Sequence, residues 1–430
     1  MFSKFGSSGI RGVANTEITP QLALNFGLAV GSVYREVVIG HDPRIAGEMI
    51  EHAVISGLLS AGCKVLRAGM VPTPTLALTS KVHGCGIMIT ASHNPARYIG
   101  MKVFKDGMSL DTGQQEEIED LLENEKFTRA DWEETGHLDV FGTAIKEHSE
   151  IILKNTGSSD LKVVVDCGCG AASVITPYIL REMGCVVITL NSQPDGHFPG
   201  RQPEPIDENL KLLKSTVKAA GADLGIAHDG DADRMMAVDD QGRFVSGDKM
   251  LAFFAVREAR KAIAVPVDTS RVVDDMLNGI KISRTKVGDV YVAETLKKIK
   301  GEFGGEPSGA WIFPKISLCP DGIYAAAKLV EIVEHEGRFS RLLGSIPEYP
   351  VKRGAFPCQD RKKAMTIIAE RLERLGEMDT LDGIRVDIDD GWILVRPSGT
   401  EPKIRITVES QDRCEELYEK AEEIVKGAIA

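Results

Sequence analysis

The stretch VISGLLSAGCKVLRAG, residues 54–69, joins a predicted helix, a glycine and a predicted strand. Glycine commonly ends a helix because it adopts a positive φ without strain, and the apolar residues after Gly62 suit a strand. The same order recurs as PYILREMGCVVITL around Gly184 and as VVDDMLNGIKISRTKVG around Gly279. Alternating helices and strands indicate parallel or mixed sheets, and the domain-sized spacing favours three related α/β domains in tandem. Because helix, glycine and strand also follow one another in α/β proteins without repeats, that simpler interpretation stays open here.

The C-terminal part of the chain has a different pattern. GIRVDIDDGWILVRPSG and PKIRITVE indicate strands around turns, and RCEELYEKAEEIVKGAIA indicates an amphipathic helix. The apolar side of that helix comprises Cys414, Leu417, Ala421, Ile424, Val425 and Ala428. Segment 346–350 contains two prolines, which is typical of a linker. The sequence therefore predicts α/β domains at 1–149, 150–249 and 250–347, and a smaller α+β domain at 348–430.

Composition excludes several classes of protein. The net charge of -12 argues against a general affinity for nucleic acid or for anionic membranes, so neither is expected as a partner. The chain has no apolar run of the length that spans a membrane, and its start lacks the apolar core of a signal peptide. The eight cysteines lie mostly in apolar strings such as those around Cys63, Cys85 and Cys185. They indicate reduced, buried thiols in a cytoplasmic protein.

The first candidate site is the hexapeptide TASHNP, residues 90–95, which follows the strand-like run Ile87–Met88–Ile89. Ser92 lacks the G-x-S-x-G pattern of an α/β-hydrolase nucleophile. His93 is its direct neighbour, and neighbouring side chains on extended backbone point apart, which argues against a Ser–His triad. Taken alone, a Ser-His-Asn-Pro turn is structural more often than catalytic.

The second candidate site is AHDGDADRMMAV, in which Asp229, Asp231 and Asp233 alternate. On extended backbone all three carboxylates can point the same way, and oxygen ligands at this spacing suit Mg²⁺ or Ca²⁺. An EF-hand is excluded because Arg234 stands where that loop requires glycine. A solvated acidic turn is the alternative, less favoured because three like charges repel one another. Such a site leaves a coordination position for a phosphoryl oxygen.

Two further loops carry polar groups suited to a phosphorylated sugar. In RPSGTEP, an arginine, two hydroxyls and turn N–H groups can bind a phosphate, although a plain hairpin turn explains the pattern equally well. The candidate phosphate ligands there are Arg396, Ser398, Gly399 and Thr400. In GEPSG, Glu306 and Ser308 can direct a carboxylate and a hydroxyl to two vicinal sugar hydroxyls, although a tight turn is the alternative.

Together, TASHNP, DGDADR, GEPSG and RPSGTEP, in this order, resemble the four signature loops of the α-D-phosphohexomutase family. FGSSGIRG at 5–12 and RTKVGD at 284–289 are similar to the family as well, so the resemblance covers essentially the whole chain. It implies three similar mixed-sheet α/β domains and a smaller C-terminal α+β domain around a central cleft, with one signature loop per domain. It also implies an isomerase that interconverts hexose 6-phosphate and hexose 1-phosphate through a phosphoserine and a bisphosphorylated intermediate.

The resemblance assigns roles to particular residues. Ser92 would carry the phosphoryl group and, with Asp229, Asp231 and Asp233, would bind one Mg²⁺ ion. Lys102 falls where the family has a proposed general acid/base, although Ile99 takes the place of the usual nearby asparagine. Arg11 would offset charge close to the phosphoryl group. The substrate ligands implied in this way are His93, Arg234, Lys286, Glu306, Ser308, Arg396, Ser398, Gly399, Thr400 and Arg405.

The choice of hexose is less determined by these residues. Contacts to the 3- and 4-hydroxyls do not distinguish glucose, mannose and glucosamine, which differ at C2. RTKVGD and the serine of GEPSG favour a phosphoglucosamine mutase, acting on the route to UDP-N-acetylglucosamine, although Ala310 replaces a histidine common in the family. A phosphomannomutase or phosphoglucomutase is the alternative. A hexose 1,6-bisphosphate would be the activator, a phosphosugar the partner, and the chain a monomer or homodimer.

Two other classes stay open. DGDAD also resembles the motif of haloacid-dehalogenase-type phosphatases, in which Asp229 would be the nucleophile and Ser92 would be idle. The chain would alternatively be a non-catalytic sugar-phosphate sensor on a mutase scaffold, although the retained serine and aspartates argue against this.

Overall fold

The computed structural model describes residues 9–398 and 402–429, and four sheets follow one another along this part of the chain. The strands of the first sheet are β1 (Ile10–Val13), β2 (Glu36–His41), β3 (Lys64–Met70), β4 (Cys85–Ile89), β5 (Tyr98–Lys105), β6 (Met108–Ser109) and β7 (His137–Val140). Their order is β1-β5-β4-β2-β3-β7, with β6 paired to β5. The helices of this domain are α1 (Pro20–Val33), α2 (Gly47–Ser60), α3 (Thr73–His83) and α4 (Thr112–Glu123).

The second and third sheets each have four strands. The second has the order β11-β10-β8-β9, with α5 (Ala144–Asn155), β8 (Lys162–Asp166), α6 (Thr176–Glu182), β9 (Val186–Leu190), α7 (Lys211–Ala220), β10 (Leu224–His228) and β11 (Met235–Asp239). The third has the order β13-β12-β14-β15, with α8 (Gly247–Glu258), β12 (Ala262–Pro266), α9 (Val272–Met276), β13 (Lys281–Thr285), α10 (Asp289–Ile299), β14 (Phe303–Glu306), β15 (Ala310–Ile312), α11 (Gly322–Glu336) and α12 (Phe339–Leu343).

The fourth sheet is antiparallel throughout and has the order β16-β20-β19-β18-β17. Its elements are β16 (Val351–Pro357), α13 (Arg361–Leu372), β17 (Glu377–Asp379), β18 (Ile384–Ile388), β19 (Gly391–Pro397), β20 (Lys403–Ser410) and α14 (Cys414–Ile429). The predicted apolar side of α14 packs on this sheet, since Leu417, Ala421 and Val425 are buried in the domain's core. Short 3₁₀ helices lie at 132–134, 171–174 and 207–209.

The first three domains share one strand arrangement. In each, two parallel strands flank a third, as β3-β2-β4, β9-β8-β10 and β13-β12-β14, and an antiparallel strand then follows as β5, β11 or β15. The predicted three similar mixed-sheet domains with a smaller α+β domain are therefore confirmed. TASHNP, DGDADR and GEPSG all lie at or directly after the end of the last parallel strand, where the chain turns into the antiparallel one.

The three glycines of the repeated pattern occupy the predicted helix-to-strand connections. Gly62, Gly184 and Gly279 have φ values of 82°, 109° and 78°, in the region that disfavours other residues. A Cβ on Gly279 would meet nothing within 4 Å, so only its backbone conformation requires glycine. A Cβ on Gly184 would also lie 2.7 Å from the carbonyl oxygen of Ser159.

The packing joins some domains more closely than others. One continuous core runs through the second and third domains, whereas the first and fourth have cores of their own. The division at 149/150, 249/250 and 347/348 stays a proposal, and α5 and α8 run across the first two of these positions. None of the described helices has the length and apolar character needed to cross a membrane.

Candidate active site

The serine loop, TASHNP at residues 90–95, and the aspartate loop, DGDADR at residues 229–234, meet at one hydrogen bond. Ser92 is buried, and its Oγ donates to Oδ2 of Asp229 at 2.6 Å, which links the first domain to the second. The backbone of Ser92 has a φ of 49°, an uncommon value for a residue with a Cβ. Strand β4 is wholly buried, so the serine stands at the end of a rigid support.

The expectation that His93 points away from Ser92 is wrong. His93 Nδ1 lies 3.3 Å from Ser92 Oγ because the left-handed backbone at Ser92 replaces the extended one on which the expectation rested. Burial, together with the charges of Arg234 and Arg11, holds the pKa of His93 well below its usual range. The imidazole is therefore neutral, and it borders the hydroxyl without being able to hold a second proton at neutral pH.

The three aspartates form a group that can hold a cation. Asp229, Asp231 and Asp233 are buried, and each offers a carboxylate oxygen within 4.8 Å of the others. Burial and the neighbouring two carboxylates raise the pKa of Asp229 well above its usual range. Oδ1 of Asp231 is buried and has no hydrogen-bond partner among the described residues. A divalent cation would relieve both the repulsion and the unpartnered oxygen, so the donor set fits a hard metal ion.

Lys102 provides the positive charge closest to this cluster. Its Nζ lies 2.7 Å from Oδ2 of Asp233 and 3.3 Å from Oδ2 of Asp231. Burial favours a neutral amine, but the carboxylates of Asp231 and Asp233 outweigh it, so the pKa of Lys102 is raised. Lys102, which the family resemblance marked as a general acid or base, is thus a charged ammonium that pairs with two of the proposed metal ligands.

Arg11 lies on β1, opposite Gly100 of β5. Its Nη1 donates to the side chain of Asn94 at 3.3 Å, and its Nε is buried without a partner among the described residues. Burial lowers the pKa of Arg11 somewhat, opposed by the charges of Asp231 and Asp233. An arginine always remains protonated in practice, so this guanidinium retains a donor for an anionic ligand.

The predicted sugar-binding loop, GEPSG at residues 305–309, adjoins the aspartate loop through Arg234. The backbone of Arg234 forms an isolated bridge with Ala310, and its Nη1 lies 3.8 Å from Oε1 of Glu204. Glu306 Oε1 accepts from the N–H of Gly288 at 2.8 Å, and Oε2 lies 3.5 Å from Ser308 Oγ. The two predicted sugar ligands therefore do lie side by side.

The pKa of Glu306 is raised toward neutrality. Burial, followed by the negative charges of Asp289 and Asp268, raises its pKa to about 7. Lys286 is exposed, and its Nζ lies 5.8 Å from the ring centroid of Tyr291. Neither predicted ligand thus forms an ion pair with another residue in the part of the chain that the structure describes.

The predicted phosphate loop, RPSGTEP at residues 396–402, begins at the end of β19. Arg396 lies opposite Arg405 in the neighbouring strand, and Arg405 is exposed. Nη1 of Arg396 lies 3.9 Å from Oδ2 of Asp382. Ser398 is buried and donates its N–H to the carbonyl of Lys403 at 2.8 Å. Gly399 and Thr400 lie outside the described residues. The charge of Arg396 reaches the third domain, where it opposes the burial that raises the pKa of Asp268.

Two polar residues of this site were missed from the sequence. Thr73, at the first position of α3, donates its hydroxyl to Oδ2 of Asp231 at 2.5 Å and its N–H to the Asp231 carbonyl at 2.9 Å. Asp289, at the first position of α10, is half-buried and lies within the electrostatic influence of Lys102, Asp233 and Arg11, and its partial burial raises its pKa. Asp289 ends the quoted motif RTKVGD, so a signal existed for it, whereas nothing local to Thr73 indicates a partner so distant in the chain.

Family models match the chain along almost its whole length. The models for the α/β/α domains I, II and III of phosphoglucomutase/phosphomannomutase match residues 3–129, 139–242 and 246–349, and the model for the C-terminal domain matches residues 355–426.

Full-length relatives and a solved structure agree with these matches. The chain is 57% identical over 430 residues to a protein of Methanococcoides burtonii named "Probable phosphoglucosamine mutase", and 58% identical over 431 residues to one of Methanosarcina acetivorans with the same name. Each alignment covers 99% of both chains. A crystal structure of a phosphoglucomutase/phosphomannomutase family protein from Burkholderia thailandensis superposes with a TM-score of 0.89 at 27% identity, covering 100% of this chain and 98% of that one.

Proposed function

The chain belongs to the phosphoglucomutase/phosphomannomutase family and is an isomerase of the phosphohexomutase class, and we propose that its substrate is a glucosamine phosphate. The reaction would interconvert glucosamine 6-phosphate and glucosamine 1-phosphate. The naming of the full-length relatives supports this hexose, with mannose or glucose phosphate as the alternative. The proposal for the reacting residue rests on one observation, the 2.6 Å hydrogen bond from Ser92 Oγ to Asp229 inside the buried carboxylate cluster.

In the proposed reaction, phosphorylated Ser92 gives its phosphoryl group to the free hydroxyl of the sugar. The bond from phosphorus to Ser92 Oγ breaks, a bond to the sugar oxygen forms, the sugar hydroxyl loses its proton and Ser92 Oγ takes one up, so that the number of protons is unchanged. The resulting bisphosphate turns over in the cleft, and its other phosphoryl group returns to Ser92. Asp229, Asp231 and Asp233 would hold one Mg²⁺ ion, which when bound withdraws charge from the phosphoryl oxygens.

The remaining side chains are proposed to bind and orient. Glu306 and Ser308 would contact the 3- and 4-hydroxyls, and Arg396 with the rest of its loop would hold the phosphate that is not reacting. Protonated Lys102 is in the state needed to return a proton to a leaving oxygen, and Arg11 has a free donor for the moving group. His93, Arg234, Lys286 and Arg405 complete the proposed set of substrate ligands.

The activator, the oligomeric state and the location in the cell are also proposals. A hexose 1,6-bisphosphate would load Ser92 at the start, and the chain would act as a monomer or homodimer. A cytoplasmic location is supported by the eight cysteines, all of which are described and unpaired.

The direct test is to locate the phosphoryl group. Protein incubated with Mg²⁺ and glucosamine 1,6-bisphosphate should carry phosphate on the peptide that contains Ser92, as detected by mass spectrometry. The same protein should then convert glucosamine 1-phosphate faster than mannose or glucose 1-phosphate. Phosphate on Asp229 would instead favour the phosphatase mechanism, and turnover of none of the three sugars would favour a sensor.

A further inference from the structure

The loop that carries Ser92 rests on one buried arginine that has no part in the site described above. Arg44 follows β2, and its Nη1 donates to the carbonyls of Pro95 and Tyr98 at 2.8 and 2.9 Å. Its Nη2 donates to the carbonyls of Ser92 and Asn94, both at 2.7 Å. A single guanidinium thus fixes four carbonyls within seven consecutive residues of the loop.

The fifth donor of this arginine is held by a buried carboxylate. Arg44 Nε donates to Oδ2 of Asp42 at 3.0 Å, and the same oxygen accepts from the hydroxyl of Thr90 at 2.7 Å. Thr90 Oγ1 in turn accepts the N–H of Ser92 at 2.8 Å. The guanidinium has five N–H donors, and all five are in use. Both backbone polar groups of Ser92 are therefore held by one connected network.

A rigid support is needed because the serine has an unfavourable backbone. A residue with a Cβ at a φ of 49° persists only when its surroundings over-determine that conformation. The same network lies in close contact with the second domain. A Cβ on Gly230 would lie 2.7 Å from the carbonyl oxygen of Ser92, and the guanidinium carbon of Arg44 lies 5.1 Å from the ring centroid of Phe198.

Arg44 is unsuited to bind phosphate itself. Its side chain is 1% exposed, its charge is matched by that of Asp42, and no donor remains for a ligand. Any effect on phosphoryl transfer must therefore act through the geometry of the loop.

We infer that Arg44, Asp42 and Thr90 form a positioning frame, which keeps Ser92 Oγ aimed at the aspartate cluster while phosphate arrives and leaves. This inference rests on the proposed role of Ser92 as the phosphoryl carrier.

The second domain repeats the arrangement at the equivalent strand. Arg201 Nε donates to Oδ2 of Asp166, at the end of β8, at 3.0 Å. Its Nη2 donates to the carbonyl of His228 at 2.6 Å, directly before Asp229. A buried Asp–Arg pair therefore supports the signature loop in both domains, as expected if loop geometry is what the pair maintains.

The test compares Arg44→Lys with Arg67→Lys. A lysine has three donors on a single nitrogen and cannot reach four carbonyls at once. Arg67 is a matched control because it also pairs with a buried carboxylate of the first domain, donating twice to Glu51 at 2.9 and 2.7 Å. We expect Arg44→Lys to lower kcat by about 100-fold, the effect of a small misplacement, with KM for the phosphosugar little changed. Amide hydrogen exchange in the peptide spanning 90–98 should accelerate in that variant alone.

The outcomes separate this inference from the proposed function. If wild-type protein neither gains phosphate on Ser92 nor turns over phosphosugars, the proposed function fails, while hydrogen exchange still reports on the frame. If Arg44→Lys keeps both wild-type exchange and wild-type kcat, or loses activity through KM alone, the frame is overturned.

A second pair covers the case in which Arg44→Lys does not fold. Thr90→Val removes the hydroxyl at nearly constant volume, whereas Thr90→Ser retains it. The serine variant should keep most of the rate of Ser92 phosphorylation that the valine variant loses, and equal rates in the two would refute the frame.

Discussion

Three buried carboxylates at the centre of the molecule determine the electrostatics of the site. Asp229 and Asp231 differ in direction of pKa shift although they stand two residues apart. The pKa of Asp229 is raised by burial and by the charges of the two neighbouring aspartates. Burial also acts to raise the pKa of Asp231, but the contributions of Lys102, Thr73 and Arg11 outweigh it, and that pKa is lowered. Asp229, the carboxylate that accepts the hydrogen bond of Ser92, is therefore the one whose ionised form is more strongly disfavoured when no cation is bound. We expect a cation bound by the cluster to favour that ionised form.

Replacing Asp231 by Asn tests the metal assignment. Asp231→Asn removes one anionic ligand but keeps an oxygen that can accept the hydroxyl of Thr73. We expect kcat to fall by at least 100-fold, comparable with loss of a strong electrostatic contact, with a much smaller change in Tm. Steady-state rates with Mg²⁺ titrated from an EDTA-treated sample provide the measurement. Normal rates in both the variant and the EDTA-treated wild type would rule out a metal at this position.

Glu306 should give the reaction a pH dependence close to neutrality. Its pKa is raised to about 7, so the ionised carboxylate, which is the form proposed to accept the sugar hydroxyls, predominates only above that value. As pH falls through 7 the group gains a proton, and kcat/KM should fall toward about tenfold per pH unit, because this ratio reports the free enzyme. Glu306→Gln should be less active but flat between pH 6 and 8. A wild-type profile that is retained unchanged in Glu306→Gln would assign the titration to another group.

At the scale of elements, one connection is used three times. The strands β4, β10 and β14 are each the last parallel strand of their sheet, and each is followed by an antiparallel partner through a segment that bears polar side chains. Burial of the strand fixes where each polar segment begins. Ser92 and the aspartates lie beyond the paired residues of β4 and β10, whereas Glu306 is the last paired residue of β14. The serine, the aspartates and the glutamate–serine pair are thus three versions of one structural position.

The helix-to-strand glycines offer a matched pair for stability. Gly279→Ala should cost about 1–2 kcal/mol, because the site is spacious and only the positive φ opposes a Cβ. Gly184→Ala should cost more, because its Cβ would also lie 2.7 Å from the Ser159 carbonyl oxygen. Calorimetric Tm values for the two variants test the order. Equal Tm losses would show that the close approach is relieved by backbone movement.

These elements also show what the sequence can and cannot predict. The repeated glycines, the C-terminal domain and the aspartate cluster were predicted correctly, because each depends on residues close together in the chain. Contacts such as Thr73 with Asp231 and Ser92 with Asp229 join residues that are 158 and 137 positions apart, and no local period encodes them. His93 was misplaced for a related reason, since the left-handed turn at Ser92 is stabilised by Arg44, which is distant in sequence.

At the scale of the whole molecule, the fourth domain reaches the site as a separate body docked on the third. Asp382 accepts the N–H of Val287 at 3.0 Å, and Arg353 pairs with Asp248 at 2.9 Å. Val267, Trp392 and Leu394 form a small apolar cluster at the same contact. Because the apolar part of this contact is a separate small cluster, whereas one continuous core joins the second and third domains, the fourth domain is held to the third largely through polar contacts.

The position of Arg396 on this domain suits it to the phosphate-binding role proposed for it. In the proposed reaction the sugar turns over, but one phosphate is always remote from Ser92, and the fourth domain must hold it in either orientation. Arg396 is suited to this because the carboxylate oxygen of Asp382, the one within ion-pair range of it among the described residues, is 3.9 Å away, too far for a strong hydrogen bond. The N–H donors of its guanidinium group therefore remain available for a phosphate.

Arg396→Ala should accordingly weaken the reaction in both directions. Loss of two charge-assisted hydrogen bonds is worth about 2–4 kcal/mol if the pair is desolvated, roughly 30- to 900-fold in kcat/KM. Arg396→Lys should recover only part of this, since an ammonium lacks the planar fork. Arg371→Ala, on the outer helix α13 of the same domain, is the control and should leave both rates unchanged. A defect confined to either the 1-phospho or the 6-phospho substrate would mean that a different group holds the remote phosphate in the other orientation, and the single-loop model of reorientation would then fail.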